Sequence, residues 1–180
     1  MDLLSTQRPR IIAHLDIDMI SKIYLDMDGV IANFEKRYTE RYGELPGSQR
    51  DRKEWNTNWH DFIETKQFET LEYWPDAENL LSFLATLHVP IEILTSSGGN
   101  ARHDDVAAQK TVWLCNHGIP YKINVVAGRR NKAKYAQPDY VMIDDTPDVI
   151  ESFVKAGGTG ILYKDFGECK KLLRFYLTEA

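Results

Sequence analysis

Five short apolar runs punctuate the chain: KIYL (22–25), IEIL (91–94), KINVV (122–126), YVMI (140–143) and GILY (160–163). Each is rich in β-branched or aromatic residues, and the apolar character is close to continuous rather than alternating. That is the pattern of strands buried on both faces of a parallel sheet. Between the runs the period lengthens. Residues 75–88, PDAENLLSFLATLH, place Leu80, Leu81, Leu84 and Leu87 at helical spacing behind a Pro-Asp start. A second helix is predicted over 103–117, carrying Val106, Val112, Trp113 and Cys115 and stopped by Gly118. A third begins with Thr146 as N-cap and Pro147 at its first position and ends at Gly157 and Gly158. The last starts near 166, in FGECKKLLRFYL. Strand and helix alternate to the C-terminus, so the expected fold class is α/β, a three-layer α/β/α doubly wound parallel sheet.

One interval breaks this rhythm. Residues 31–74 contain no strand-like run, yet hold Trp55, Trp59, Phe62, Phe68, Tyr73 and Trp74. They are expected to form a small, mostly helical cap inserted after the first strand, with GELPGS (43–48) as its turn. An insertion at the carboxyl end of a strand lies over the usual ligand crevice of an α/β sheet. Some of its aromatics are therefore expected to line a pocket and others to form a minor core. The predicted organisation is an N-terminal extension over 1–21 followed by one domain over 22–180, with the cap at 31–74 inside it.

With 43% hydrophobic and 27% charged residues the chain has the composition of an ordinary globular protein. Its net charge of -5 argues against gripping duplex nucleic acid through a broad basic face and leaves small anionic substrates open. The two cysteines, Cys115 and Cys169, lack metal-site or disulfide-framework spacing, so a reducing, cytoplasmic setting is expected. Charges break the N-terminal apolar residues into runs too short for a signal peptide, and no stretch approaches a membrane span. The five histidines, His14, His60, His88, His103 and His117, are scattered without ligand spacing and are assigned no chemistry. A homodimer is compatible with the sequence and not required by it.

Two Asp-x-Asp pairs stand ten residues apart, Asp16/Asp18 and Asp26/Asp28. Only the second closes a predicted strand. Asp16/Asp18 lies too near that strand for a crossover connection and is assigned to the extension, with solvated carboxylates. Asp26 and Asp28 end the first strand, Thr95 and Ser96 the second, Asp144 and Asp145 the fourth, with Lys132 in the loop before it. In a parallel sheet these ends share one edge, so four carboxylates are expected to converge. Each like-charged pair about 4 Å apart costs roughly 4 kcal/mol at an effective dielectric near 20, and a hard divalent cation removes the conflict. Oxygen-only ligands favour Mg2+. A carboxylate beside such an ion can attack a phosphorus centre while a second, two residues on, protonates the leaving oxygen. Gly29 would let the backbone turn away, and Thr95 and Lys132 are suited to hold phosphoryl oxygens.

The set YLDMDGV, ILTSS, a lysine in RRNK and VMIDD, in that order, closely resembles the four motifs of the haloacid-dehalogenase-like phosphatase superfamily. The resemblance implies Asp26 as nucleophile and Asp28 as general acid and then base. It also implies Thr95 and Lys132 as phosphate ligands, and magnesium on Asp26, the Asp28 carbonyl and the Asp144/Asp145 pair, without saying which of that pair binds directly. Lys132 is preferred to Lys134 on the spacing to the double Asp. Within the superfamily, DMDGVIANFE, the cap that follows it, ETKQFETLEYWPDA and DDTP resemble the 5'(3')-deoxyribonucleotidases, as do KTVW (110–113), the arginine of RRNK and Trp55. By that resemblance Phe34 and Trp55 pack against a nucleobase, with Ser96, Lys110 and Arg130 near phosphate and sugar. Arg129, Arg130 and Lys134 otherwise form a basic rim.

Two positions depart from the family. Glu54 stands where a second aromatic is usual before Trp55, and Ile63 where a cap tryptophan is usual. Both fall on the base side, so the chemistry is better marked than the nucleotide preference. The expected function is a magnesium-dependent phosphomonoesterase with an aspartyl-phosphate intermediate, acting on a small phosphorylated substrate, a (deoxy)ribonucleoside monophosphate. The alternatives are a polynucleotide 3'-phosphatase or another small-molecule phosphatase. From a different class come a receiver-like phospho-acceptor, in which the acidic pair would precede rather than follow, and a silent phosphate-binding module.

Overall fold

The computed structural model describes residues 20–48 and 51–178. Asp16, Asp18, His14 and the expected extension as far as residue 19 lie outside the described residues.

Five parallel strands form one sheet: β1 (Lys22–Leu25), β2 (Ile91–Ser96), β3 (Lys122–Val126), β4 (Tyr140–Asp144) and β5 (Thr159–Leu162), in the order β3-β2-β1-β4-β5. β1 is central, with Ile23 opposite both Ile91 and Val141. Successive strands are added first to one side of β1 and then to the other, so the order reverses beside it. In a doubly wound sheet that reversal opens a crevice at the carboxyl ends of the strands.

Strand alternation sorts side chains between two cores. Ile23, Leu25, Ile93, Val141, Ile143 and Ile161 meet Leu80 and Leu84 of α3 (Ala77–Leu84), Val106 and Trp113 of α4 (His103–Asn116) and Leu173 of α6 (Phe166–Thr178). On the other face Tyr24, Leu94, Val126 and Met142 pack with Phe153 of α5 (Pro147–Lys155). This second layer is thin. Between β3 and β4 the chain makes a 3₁₀ helix, Arg129–Tyr135, where regular alternation would have supplied an α-helix. On this face, Glu92 of β2 accepts hydrogen bonds from Lys22 Nζ at 2.8 Å and Asn124 Nδ2 at 2.8 Å. A polar network thus stands on the sheet face that an additional crossover helix would otherwise cover.

Two helices differ from their sequence patterns. α3 begins at Ala77, because Asp76 adopts a left-handed conformation with φ 65° and places Pro75 outside the helix. It ends at Leu84, four residues before the expected end. On α4, Val112 and Cys115 are exposed, and the buried face is Val106, Gln109, Lys110, Trp113 and Leu114. Apolar content misplaces that face, since two of its residues are polar and satisfied by partners inside the protein.

The inserted segment carries α1 (Phe34–Tyr42), α2 (Arg52–Glu64) and a 3₁₀ turn, Gln67–Thr70. Asn33 caps α1 by accepting from Lys36 N, and α1 ends at Gly43; Asp51 caps α2. Tyr38, Phe62 and Phe68 are fully buried and form the segment's own core. The segment enters and leaves side by side, with Asn33 N bonded to Glu72 O and Trp74 N to Ile31 O, both at 2.9 Å. α4 braces it at two further points: Gln109 Nε2 donates to Ile63 O at 2.7 Å and Trp113 Nε1 to Leu71 O at 2.8 Å. Among the described residues no helix is long and apolar enough to cross a membrane.

Candidate active site

A cavity of about 640 Å³ lies at the carboxyl ends of β1, β2 and β4, beneath the inserted segment. Its floor is polar. Asp26 follows β1 directly, its N–H donating to Ile143 O at 3.0 Å, so the backbone pairing of β1 with β4 fixes where this carboxylate stands. Asp28 lies two residues on, where the chain turns through Gly29 at φ 77°. Thr95 and Ser96 end β2 and line the same cavity, as does Asp145 after β4.

Lys132 reaches the floor from the 3₁₀ helix. It is 2% exposed, with Nζ 2.8 Å from Asp26 Oδ1 and 2.7 Å from Asp144 Oδ2. Burial alone would favour its neutral form, but the carboxylates of Asp26 and Asp144 outweigh that and raise its pKa. Lys134 is exposed and absent from the cavity wall. Lys110 is completely buried and stands one layer below, its Nζ 2.7 Å from both Asp28 Oδ2 and Thr95 Oγ1 and 2.9 Å from Ser96 O.

Asp144 and Asp145 are adjacent in sequence and differently used. Both oxygens of Asp144 are engaged, Oδ2 by Lys132 and Oδ1 by the Thr146 N–H at 2.9 Å. Asp145 lines the cavity and, among the described residues, accepts only the Thr146 hydroxyl, at 3.2 Å. Thr146 occupies the expected N-cap position of α5, but its side chain serves Asp145 instead of the helix.

Asp28, Asp144 and Asp145 hold protons more tightly than usual. Burial pushes up the pKa of Asp28, opposed by Lys110 and reinforced by Asp26. Asp144 is raised by burial and then by the charge of Asp26, against Lys132 and the Thr146 N–H. Asp145 is pushed up to about 6, by burial and then by Asp26. One oxygen from each of Asp26, Asp144 and Asp145 lies within 4.8 Å of the other two. Among the described residues the Lys132 ammonium, at 2.8 Å, is the one polar partner of Asp26 Oδ1, and Asp28 Oδ1 is buried with no hydrogen-bond partner. Crowded, under-coordinated oxygens with no nitrogen or sulfur donor fit a hard divalent cation such as magnesium.

The opposite wall is aromatic: Phe34, Trp55, Trp59 and Trp74. Trp55 and Trp59 stand parallel with ring centroids 5.8 Å apart, and Phe34 stacks on buried Phe68 at 5.7 Å. Trp59 packs against Gly98, where a Cβ would come within 3.0 Å of its ring. Ile63 is buried, and Trp59, one turn earlier on α2, supplies an indole to the wall. At the mouth stand Arg129, paired with Asp148 at 3.1 Å, and Arg130, together with Asn131 and Glu35. Of the residues expected at the site, only Asp144 and Lys110 do not line the cavity, and both contact residues that do.

Sequence reasoning named no role for Asn131, Glu35 or His103. His103 Nδ1 lies 2.9 Å from the hydroxyl of Ser97, which is buried and so pins the loop after β2 to the start of α4. The signal for Trp59 was available, since it stands four residues after Trp55 and a helix presents both on one side.

Acidic pairs closing β1 and β4, a hydroxyl closing β2 and a lysine between them, under a helical insertion, define a haloacid-dehalogenase-like hydrolase of phosphoric monoesters. The fold is similar to that of a hydrolase from Streptococcus pneumoniae TIGR4 (15% identity, TM-score 0.50, 86% of this chain and 98% of that one). It is similar likewise to a hydrolase from Pseudomonas syringae (14%, TM-score 0.50, 84% and 89%) and to a haloacid-dehalogenase-like protein from Bacteroides fragilis (13%, TM-score 0.50, 78% and 85%). Within that class the chain belongs to the family described as 5' nucleotidase, deoxy (Pyrimidine), cytosolic type C (NT5C), whose model matches residues 18–167. No curated protein matches it.

Proposed function

We propose that the protein is a magnesium-dependent cytoplasmic phosphatase of (deoxy)ribonucleoside monophosphates that works through an aspartyl phosphate on Asp26. The observation that carries this reading is a single cavity with two unlike ends: Asp26, Thr95 and Lys132 on the floor and an indole wall from Trp55 and Trp59. Its volume suits a small ligand, and the unlike ends suit a molecule with a phosphate at one end and a flat apolar ring at the other.

In the proposed reaction an Asp26 oxygen forms a bond to phosphorus as the ester P–O bond breaks. The departing alkoxide takes its proton from Asp28, whose raised pKa suits a group that must arrive protonated. Water then attacks the phosphorus of the aspartyl phosphate and gives a proton to Asp28. The P–O bond to Asp26 breaks, which restores both carboxyl groups and releases inorganic phosphate. Lys132 and Thr95 hold the equatorial oxygens, and the aromatic wall orients the nucleoside. Asp26, the Asp28 carbonyl and Asp145 would hold magnesium, which when bound would supply positive charge against the phosphoryl oxygens. Asp144, with both oxygens already engaged, instead positions Lys132.

The test is phosphate release in magnesium from 5' and 3' nucleoside monophosphates, a generic aryl phosphate and a 3'-phosphorylated oligonucleotide. Mononucleotides are expected to be the best substrates. Faster release from the oligonucleotide would replace this reading with a polynucleotide 3'-phosphatase.

A further inference from the structure

Lys110 stands close to the phosphate end of the cavity but has no hydrogen left to give a substrate. An ammonium carries three donors and no acceptor. Asp28 Oδ2, Thr95 Oγ1 and Ser96 O, at 2.7, 2.7 and 2.9 Å, take all of them. The Phe68 ring lies over the same nitrogen, 5.2 Å from its centroid, and the side chain is completely buried and absent from the cavity wall. Lys132 differs: its Nζ touches two carboxylates and faces the cavity, so one donor is left for a ligand.

The direction of the Lys110–Thr95 bond has a consequence for Thr95. Because the ammonium can only donate, the Thr95 oxygen must accept there, and its own hydrogen has to go elsewhere. Among the described residues no group accepts that hydrogen, while Thr95 lines the cavity. We propose that Lys110 is a positioning residue: it fixes the Thr95 hydroxyl as a donor aimed into the cavity, toward a phosphoryl oxygen, and does not itself bind phosphate. Without the lysine nothing obliges the Thr95 oxygen to accept, and the direction of its hydrogen is no longer fixed. This inference rests on the phosphatase reading and refines how that site holds its anion.

The experiment is calorimetric binding of inorganic phosphate, with magnesium chloride present, to the full chain and to Lys110→Met, Thr95→Val and the double variant. Lys110→Met is expected to weaken phosphate about tenfold in the presence of Thr95 and less than about twofold in the Thr95→Val background, since its effect passes through the hydroxyl. Thr95→Ser, which keeps the hydroxyl, retains the full tenfold sensitivity. An equal loss in both backgrounds makes Lys110 a direct ligand and overturns the inference alone. No phosphate binding by the unmodified chain overturns the phosphatase reading with it. Should Lys110→Met fail to fold, the unmodified protein crystallised with magnesium and phosphate decides the matter. The inference expects Thr95 Oγ1 within about 3.2 Å of a phosphate oxygen, and Lys110 Nζ nearer than about 3.5 Å to one overturns it.

Discussion

A Cβ on Gly29 would stand 2.1 Å from Oδ2 of Asp145. The loop after β1 and the loop after β4 thus occupy adjoining volumes, and a side chain at residue 29 would have to displace the Asp145 carboxylate. The same position also needs φ 77°, which a residue with a Cβ resists by about 1 kcal/mol. Gly29→Ala should therefore lower stability by about that amount and lower kcat/KM by at least about a hundredfold through displacement of Asp145. Thermal unfolding and steady-state rates check both numbers. Near-normal activity would mean that Asp145 does not contribute.

Removing the proposed nucleophile separates chemistry from folding. Asp26→Asn should reduce phosphate release by on the order of 10⁴-fold or more. Its unfolding should remain cooperative, because Asp144 still pairs with Lys132 at 2.7 Å when the Asp26 contact is lost. Retained turnover in that variant would exclude a covalent aspartyl phosphate.

Magnesium and protons should compete for Asp145. With its pKa at about 6, the carboxylate is mostly ionised at pH 7.5 and mostly protonated at pH 5, so affinity should fall as pH drops through 6 and binding should release protons. Calorimetry across that range, in buffers of different ionisation enthalpy, reads both effects. A pH-independent affinity with no proton release would remove Asp145 from the ligand set.

The paired indoles should matter for nucleosides and not for phosphate. Trp55→Ala and Trp59→Ala are each expected to raise KM for a nucleoside monophosphate about tenfold, the loss of roughly one stacking contact, and to leave a small alkyl phosphate almost unchanged. An equal loss on both substrates would make the rings packing residues only.

Away from the cavity, the Glu92 network has its own pH signature. Burial raises the Glu92 pKa, but hydrogen bonds from Lys22 and Asn124 outweigh it, so the folded value lies below the ordinary one. A lowered carboxylate adds stability that is complete above the unfolded pKa and is lost as pH falls through the folded one. Glu92→Gln should therefore cost about 1 kcal/mol at pH 7, and the difference should close below about pH 4. Chemical denaturation at the two pH values measures it.

The strands and the order of the chemical residues were legible because both are local: a buried strand is a run, and its last residue is an edge position. What could not be read was anything requiring two distant segments at once. The buried face of α4 was misjudged because Gln109 and Lys110 earn their burial from Ile63 and Asp28, which are far away in sequence. The different surroundings of Asp144 and Asp145 depend on Lys132 and the Thr146 N–H taking both oxygens of the first. The start of α3 turned on a left-handed aspartate, a conformation that composition does not announce. The stretch before β4, expected as a loop carrying Lys132, is a 3₁₀ helix over Arg129–Tyr135, a regularity that a run of basic residues does not announce.

The floor of the cavity also has a charge inventory. Asp26, Asp28, Asp144 and Asp145 face two ammonium groups, Lys110 and Lys132, so with every group ionised the floor carries two negative charges in excess. One divalent cation makes it neutral. Burial first, and the charge of Asp26 after it, raise the pKa values of Asp28, Asp144 and Asp145, so the same crowding also favours protons there. A phosphate dianion meeting the metal-loaded floor would meet no net repulsion there, and Arg130 at the mouth would add the first attraction it feels. On this account metal and substrate bind in a preferred order set by electroneutrality, the cation first.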